Sequence, residues 1–71
     1  MKCIIKYRHP TNGNRWWLKD LSKDKAKPKP IGCHEFCKQN ATIYHSKEEA
    51  ESVANYLESI GYKAWIYKAT P

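Results

Sequence analysis

The feature that most restricts the fold is a single amphipathic helix in the C-terminal half of the chain. Ser46 is a residue type that caps helices, and Glu49 three positions later completes a capping-box pattern. Apolar residues then recur at helical spacing along one stripe, at Ala50, Val53, Ala54, Leu57 and Ile60. Gly61 follows as the residue that ends the helix. Because the helix has one apolar stripe, it can cover one face of a sheet.

The segments around this helix have the composition of strands. They are expected at residues 3–9, 15–21, 42–45 and 62–68. Between the first two, Asn12-Gly13 is a dipeptide that accepts the positive φ of a type I′ hairpin turn. The sequence therefore predicts a small α+β fold, a single-layer sheet of about four strands in the order β-β-β-α-β with one helix on one face. A right-handed crossover through the helix predicts that the third and fourth strands are parallel if they share the sheet.

A chain of 71 residues is enough for one domain, 1–71. Within it, residues 22–41 are predicted to form a long loop rich in Lys and Pro, because prolines spaced by lysines do not continue a helix. The second part of this loop, 31–38, has room for one short helical turn. The lysines of the first part are candidate contacts for a partner, at Lys23, Lys25, Lys27 and Lys29.

The positive charge is concentrated in the N-terminal half. The residues up to Lys38 include ten Lys or Arg and three Asp or Glu, the residues after it include three Lys and four Glu, and the net charge is +6. Such asymmetry favours a phosphate-bearing or acidic partner. The three cysteines are an odd number, and no signal peptide or apolar membrane span is recognisable, so a reducing, cytoplasmic setting without membrane contact is expected.

Strand alternation assigns side chains to the two faces of the sheet. Cys3, Ile5 and Tyr7 are assigned to the helix side, together with Trp16, Leu18, Ala64 and Ile66. The opposite, outward face then carries cations interleaved with aromatic rings, at Lys6, Arg8, Arg15, Trp17, Lys19, Lys63, Trp65 and Tyr67, with Ile4 among them. Cations that neutralise phosphates and rings that stack unpaired bases are typical of a nucleic-acid surface. A protein interface and a purely structural face covered by the long loop remain alternatives.

Cysteine and histidine residues suggest a metal site that the spacing does not favour. A zinc site would need Cys33 and Cys37 together with His45 and either Cys3 or His9. The spacing is Cys-x3-Cys, without a second matching pair. We therefore expect two reduced cysteines and predict no cofactor. No glycine-rich phosphate loop and no arrangement of a nucleophile with its base is recognisable, so catalysis is not expected.

The run Ile43–Ala50, which follows two strands, resembles the step from strand to capped helix in the arm-type DNA-binding domains of tyrosine recombinases. That resemblance implies a sheet whose surface contacts DNA, with a helix packed behind it. The Lys-Pro loop and the strand after Gly61 depart from the pattern, so no functional residue is carried over. In size and organisation the chain is also similar to the small accessory proteins that phages encode to bind host machinery.

These observations favour a non-catalytic binding protein that contacts nucleic acid or a nucleoprotein complex through its basic, aromatic face and its Lys-rich loop. The alternative is a small phage-type inhibitor or adaptor, such as a counter-defence factor, that docks on a host or partner protein. Homodimerisation stays open. Mimicry of DNA is disfavoured, because mimicry of phosphate requires acidic charge and this chain is basic.

Overall fold

Four strands, one α-helix and one 3₁₀ segment make up the part of the chain that the computed structural model describes, residues 2–23 and 28–69. In chain order they are β1 (Cys3–Arg8), β2 (Arg15–Leu21), β3 (Pro30–His34), the 3₁₀ segment (Glu35–Asn40), α1 (Lys47–Ser59) and β4 (Lys63–Lys68). The strands form one antiparallel sheet in the order β3-β2-β1-β4. The predicted α+β class, a small sheet with one helix, is confirmed.

The hairpin between β1 and β2 is present where Asn12-Gly13 predicted a turn. His9 donates its backbone N–H to the carbonyl of Asn14 at 2.9 Å, and Gly13 donates to the carbonyl of His9 at 3.1 Å. Gly13 has φ +74°, whereas no other residue type in the described ranges has a positive φ. A type I′ turn needs positive φ at both central residues, so that turn type was wrong, and residues 10–13 form a longer loop.

Helix α1 begins and ends with the predicted caps. The Ser46 hydroxyl accepts the backbone N–H of Glu49 at 3.1 Å. At the other end Gly61 adopts φ +100°, and the N–H of Tyr62 donates to the carbonyl of Leu57 at 2.9 Å. This is the longer hydrogen bond of a Schellman motif, which turns the chain directly into β4.

The third strand is not where the sequence pattern placed it. Strand β3 lies at Pro30–His34, inside the segment 22–41 that was predicted to be a loop. It is an edge strand that pairs only with β2, and proline is tolerated at the first position of an edge strand because its missing N–H breaks no ladder. Residues 35–40 then supply the short helical turn expected in this region.

Residues 42–45 form a single bridge instead of the predicted strand. Tyr44 exchanges two backbone hydrogen bonds of 2.8 Å with Cys3, and Thr42 donates to the carbonyl of Leu18 at 3.0 Å. The segment fits between the ends of β1 and β2, where an irregularity between Leu18 and Asp20 shifts the register of β2. The segment 42–45 and β4 each run antiparallel to β1, so they are parallel to each other, as the crossover through the helix predicted, and β1 lies between them.

The main core lies between α1 and one face of the sheet. Its fully buried members are Cys3, Ile5, Tyr7, Leu18, Ala50 and Leu57. Trp16, Val53, Ile60, Ala64 and Ile66 pack against them while partly exposed. The predicted helix-side set is therefore confirmed. It follows that the outward face of the sheet carries the alternate residues.

Gly32 of β3 lies against the side chain of Tyr7. A Cβ at position 32 would overlap the Tyr7 hydroxyl oxygen and would lie 2.9 Å from the Cβ of Trp16. The Tyr7 side chain is 1% exposed, and its hydroxyl has no hydrogen-bond partner within residues 2–23 and 28–69. Burial raises the pKa of Tyr7 to about 12, with the neighbouring Tyr62 adding to the effect. The Tyr7 ring therefore extends under the edge strand, and only glycine leaves room for it.

Leu57→Ala should lower the free energy of unfolding by about 2–5 kcal/mol, because Leu57 is fully buried at the centre of the helix–sheet interface. The free energy of unfolding of a small domain is about 5–15 kcal/mol in total, so this variant should lose a large fraction of its stability. Urea denaturation followed by circular dichroism measures the change. Glu58→Ala, on the neighbouring exposed position, is the matched control. Equal stability of Leu57→Ala and the wild type would contradict this packing.

Gly32→Ala should destabilise the protein by about 1–3 kcal/mol through overpacking. This is opposite in sign to the usual result, because Gly→Ala inside a regular strand commonly stabilises by about 0.5–1 kcal/mol. Adding Tyr7→Phe should recover part of the loss by removing the closest atom, while the ring edge and Trp16 still crowd the new methyl group. Thermal denaturation of the two single variants and the double variant tests this coupling. Purely additive effects would show that the two residues do not compete for space.

Candidate nucleic-acid interface

Three cations lie side by side across the outward face. In the sheet register Arg15 of β2 is opposite Arg8 of β1, and Arg8 is opposite Lys63 of β4. All three are exposed, and none makes an ion pair with a described residue. Directly opposed residues have Cα atoms about 4.5–5.5 Å apart, and like charges at such positions destabilise a sheet. We call Arg15, Arg8 and Lys63 the cationic row.

Aromatic residues of β4 lie next to the cationic row. Trp65 is half-buried, and the guanidinium carbon of Arg15 lies 5.8 Å from the centre of its ring, within cation–π range. Tyr67, two residues further along the same face, is 43% exposed. Lys6 of β1 is the register partner of Trp65 and is half-buried. This half of the face thus combines accessible cations with two partly accessible rings.

Trp17 lies on the predicted face but is covered. It is 6% exposed and forms a second small core with Ile4 and Ala41. The ammonium groups of Lys6 and Lys38 lie 5.1 and 5.6 Å from the centre of its ring. The chain that follows β3 covers this half of the face, as the structural alternative in the sequence analysis anticipated. Trp17 therefore does not offer a ring for stacking, and its inclusion among the contact residues is corrected.

The remaining predicted lysines are dispersed. Lys19 is exposed on β2 beyond Trp17. Its backbone carbonyl accepts a hydrogen bond from the Thr42 hydroxyl. Lys23 and Lys29 are exposed at the two ends of the β2–β3 connection. That connection is closed by hydrogen bonds of 2.8 Å between Ser22 and Lys29. Lys25 and Lys27 lie outside the described residues, so their part in binding stays a prediction.

The cysteines do not assemble into the zinc site considered from the sequence. Cys3 is buried in the core beneath α1, whereas Cys33 packs on the opposite side of the sheet, against the cluster around Trp17. The Cys33 thiol donates to the backbone carbonyl of Cys37 at 3.3 Å. Burial raises the pKa of Cys33, and Cys37 adds to this while Lys19 opposes it, so the thiol form is favoured. Within residues 2–23 and 28–69, no three His, Cys, Asp or Glu side chains converge as metal ligands.

A cleft at the corner of the sheet was missed by the sequence analysis. It has a volume of about 350 Å³ and is lined by Asn14, Arg15, Trp16, His34 and Phe36. Phe36 is 83% exposed, and its ring stacks on that of His34 with centres 4.9 Å apart and planes 24° apart. In the sequence, the Cys-His-Glu-Phe-Cys run stands out for its possible metal ligands. Its one large apolar residue in a polar loop was the signal that could have identified the cleft.

No protein-family profile, curated protein or solved structure matches the chain. Across the described ranges, no helix combines the length and the apolar character needed to cross a membrane.

Proposed function

We propose that this protein binds nucleic acid, alone or in a nucleoprotein complex, through the uncovered half of its outward sheet face, and that it does so without catalysis. The observation that supports the proposal best is the cationic row. Three like charges in adjacent register positions are unfavourable in the isolated domain, and a phosphate backbone lying across them would relieve their repulsion. Selection for stability alone gives no reason for such a row.

The charge distribution of the whole domain supports the same surface. The exposed glutamates Glu48, Glu49, Glu51 and Glu58 lie on α1, which packs against the opposite face. An approaching polyanion would therefore meet the sheet face first and would be repelled from the helix side. The rings of Trp65 and Tyr67 beside the row would add stacking on unpaired bases, each worth about 1–3 kcal/mol.

A second candidate function, docking on a partner protein as an inhibitor or adaptor, is favoured by a different observation. An apolar depression of about 340 Å³ lies beside the second core and is lined by Ile4, Lys38, Gln39, Ala41, Ile43 and Ala69. Ile43 is 48% exposed there. Such a depression accepts an apolar side chain of a partner, and this interface would depend little on salt.

The test of the proposal is a salt titration of binding to single-stranded and duplex oligonucleotides, followed by fluorescence anisotropy. Arg8→Ala should weaken binding and lower the slope of log K against log salt by about one unit, because one phosphate contact is lost. Trp65→Ala should weaken binding to single strands by about 1–3 kcal/mol with little change in slope. Trp65→Phe, which keeps a stacking ring, should recover most of that loss.

Lys47→Ala is the matched control for Arg8→Ala. It removes one positive charge, as Arg8→Ala does, but from the helix side, where Lys47 Nζ lies 3.9 Å from Glu51 Oε1. Its affinity and salt slope should stay close to those of the wild type, and a loss equal to that of Arg8→Ala would show that net charge alone governs binding. If the wild type does not bind either oligonucleotide at low salt, the proposal is rejected and docking on a partner protein remains.

A further inference from the structure

The two edges of the sheet differ in how they are protected against adding a further strand. Strand β3, at one edge, begins with Pro30, and its pairing with β2 is interrupted by a register shift. Proline and irregular pairing are among the devices that protect an edge. Strand β4, at the other edge, has a lysine at each end but contains no proline, and its pairing with β1 is regular from Lys63 to Lys68. Within residues 2–23 and 28–69, no strand pairs with its far side.

The backbone groups on the far side of β4 can be assigned from the hydrogen bonds of β1. Cys3 exchanges two backbone hydrogen bonds with Tyr44, on the side away from β4. Ala69 donates its N–H to the carbonyl of Lys2 at 2.8 Å. Because backbone groups of an antiparallel strand point alternately to its two sides, every second residue of β4 bonds to β1 and the residues between them point away. The residues that point away are Ala64, Ile66 and Lys68.

We infer that β4 pairs antiparallel with β4 of a second copy of this chain, about a two-fold axis at Ile66, and joins the two sheets into one. In this register Ile66 lies opposite Ile66 of the second copy, and Ala64 lies opposite Lys68. These are the hydrogen-bonded positions, so every outward-directed N–H and C=O of the edge gains a partner. On the outward face, Trp65 lies opposite Tyr67 of the second copy, in a closer pair where two aromatic rings stabilise a sheet.

The edge is complementary to itself, which favours a second copy over an unrelated strand. Its apolar and aromatic residues lie at the centre, between the two lysines. The register about Ile66 places each lysine opposite an alanine of the second copy, Lys63 opposite Ala69 and Lys68 opposite Ala64. No like charges are therefore directly opposed, and the same pairs occur twice, as a two-fold interface requires.

A mainly apolar cavity beside this edge supports the same occupant. It has a volume of about 240 Å³ and lies on the helix side of β4, where it is lined by Cys3, Lys47, Ile66 and Lys68. The side chain of Ile66 is only half-buried in the single chain. Contact with Ile66 of the second copy would remove apolar surface of both side chains from water, which is a favourable contribution to association.

The pairing does not depend on the proposed function, but it would enlarge the surface to which we assign binding. A two-fold axis perpendicular to the sheet keeps both outward faces on the same side. Lys63 of each copy would be level with Ala69 of the other, so the two cationic rows would lie about 20 Å apart along the strands, at about 3.4 Å per residue. Trp65 and Tyr67 of both copies would lie between the rows, and each copy would thus add a ring to the other's surface.

Sedimentation velocity from micromolar to millimolar protein, without nucleic acid, tests the pairing. The mass should rise with concentration to twice the 8.3 kDa of one chain. Lys68→Pro should weaken this association about tenfold or more, because it removes an outward-directed N–H from each copy. Proline is tolerated at such a position of an edge strand, and circular dichroism checks that the variant folds. Lys68→Ala, the matched control, keeps the N–H and should associate within about twofold of the wild type. A wild type that stays monomeric, or equal association of the two variants, would overturn the inference.

Disulfide trapping tests the register. A mixture of Trp65→Cys and Tyr67→Cys chains should form a mixed disulfide with oxidised glutathione, because closely opposed residues have Cα atoms about 4.5 Å apart. The wild type, with free Cys33 and Cys37, gives the background. Trapping of Trp65→Cys alone as fast as the mixture would overturn the assigned pairing. Neither experiment contains an oligonucleotide, so the pairing can fail while the proposed binding stands, and the absence of oligonucleotide binding would leave the pairing intact.

Discussion

The packing of α1 on one face of the sheet is the interaction on which the rest of the structure depends. Leu57 and Ala50 are fully buried against Ile5, Tyr7 and Leu18. Within residues 2–23 and 28–69 there is one α-helix, which can cover one face of the sheet and leaves the other to shorter segments. The position of α1 thus determines which side chains of every strand are available to a partner.

The outward face is divided because the chain after β3 covers only part of it. Ala41 and Ile4 enclose Trp17 in a second core, and Lys38 lies over the same ring. The other half, with the cationic row, Trp65 and Tyr67, remains accessible. A covered half that stabilises the fold and an accessible half, to which we assign the proposed binding, therefore lie side by side on one sheet face.

Local patterns in the sequence were sufficient for the helix, its caps, the position of the first hairpin and the faces of the residues in β1, β2 and β4. The helix stripe and the strand faces follow periods of 3.6 and 2 residues, which a single sequence displays directly. The caps and the hairpin follow from local residue types. The third strand was misplaced because Pro30–His34 has little strand composition of its own and pairs with β2 through long-range contacts. The burial of Trp17 and the exposure of Phe36 likewise depend on where the 3₁₀ segment packs, which alternation cannot predict.

We propose above all that the uncovered half of the outward face binds nucleic acid. The most direct test is a ¹⁵N NMR titration that follows the indole N–H signals of Trp16, Trp17 and Trp65 together with the backbone amides, during addition of an oligothymidine at low salt. We expect the largest shifts at Trp65 and at the amides of Arg8, Arg15 and Lys63, with little change at Trp17 or along α1. Shifts concentrated on α1, or none at saturating oligonucleotide, would contradict it.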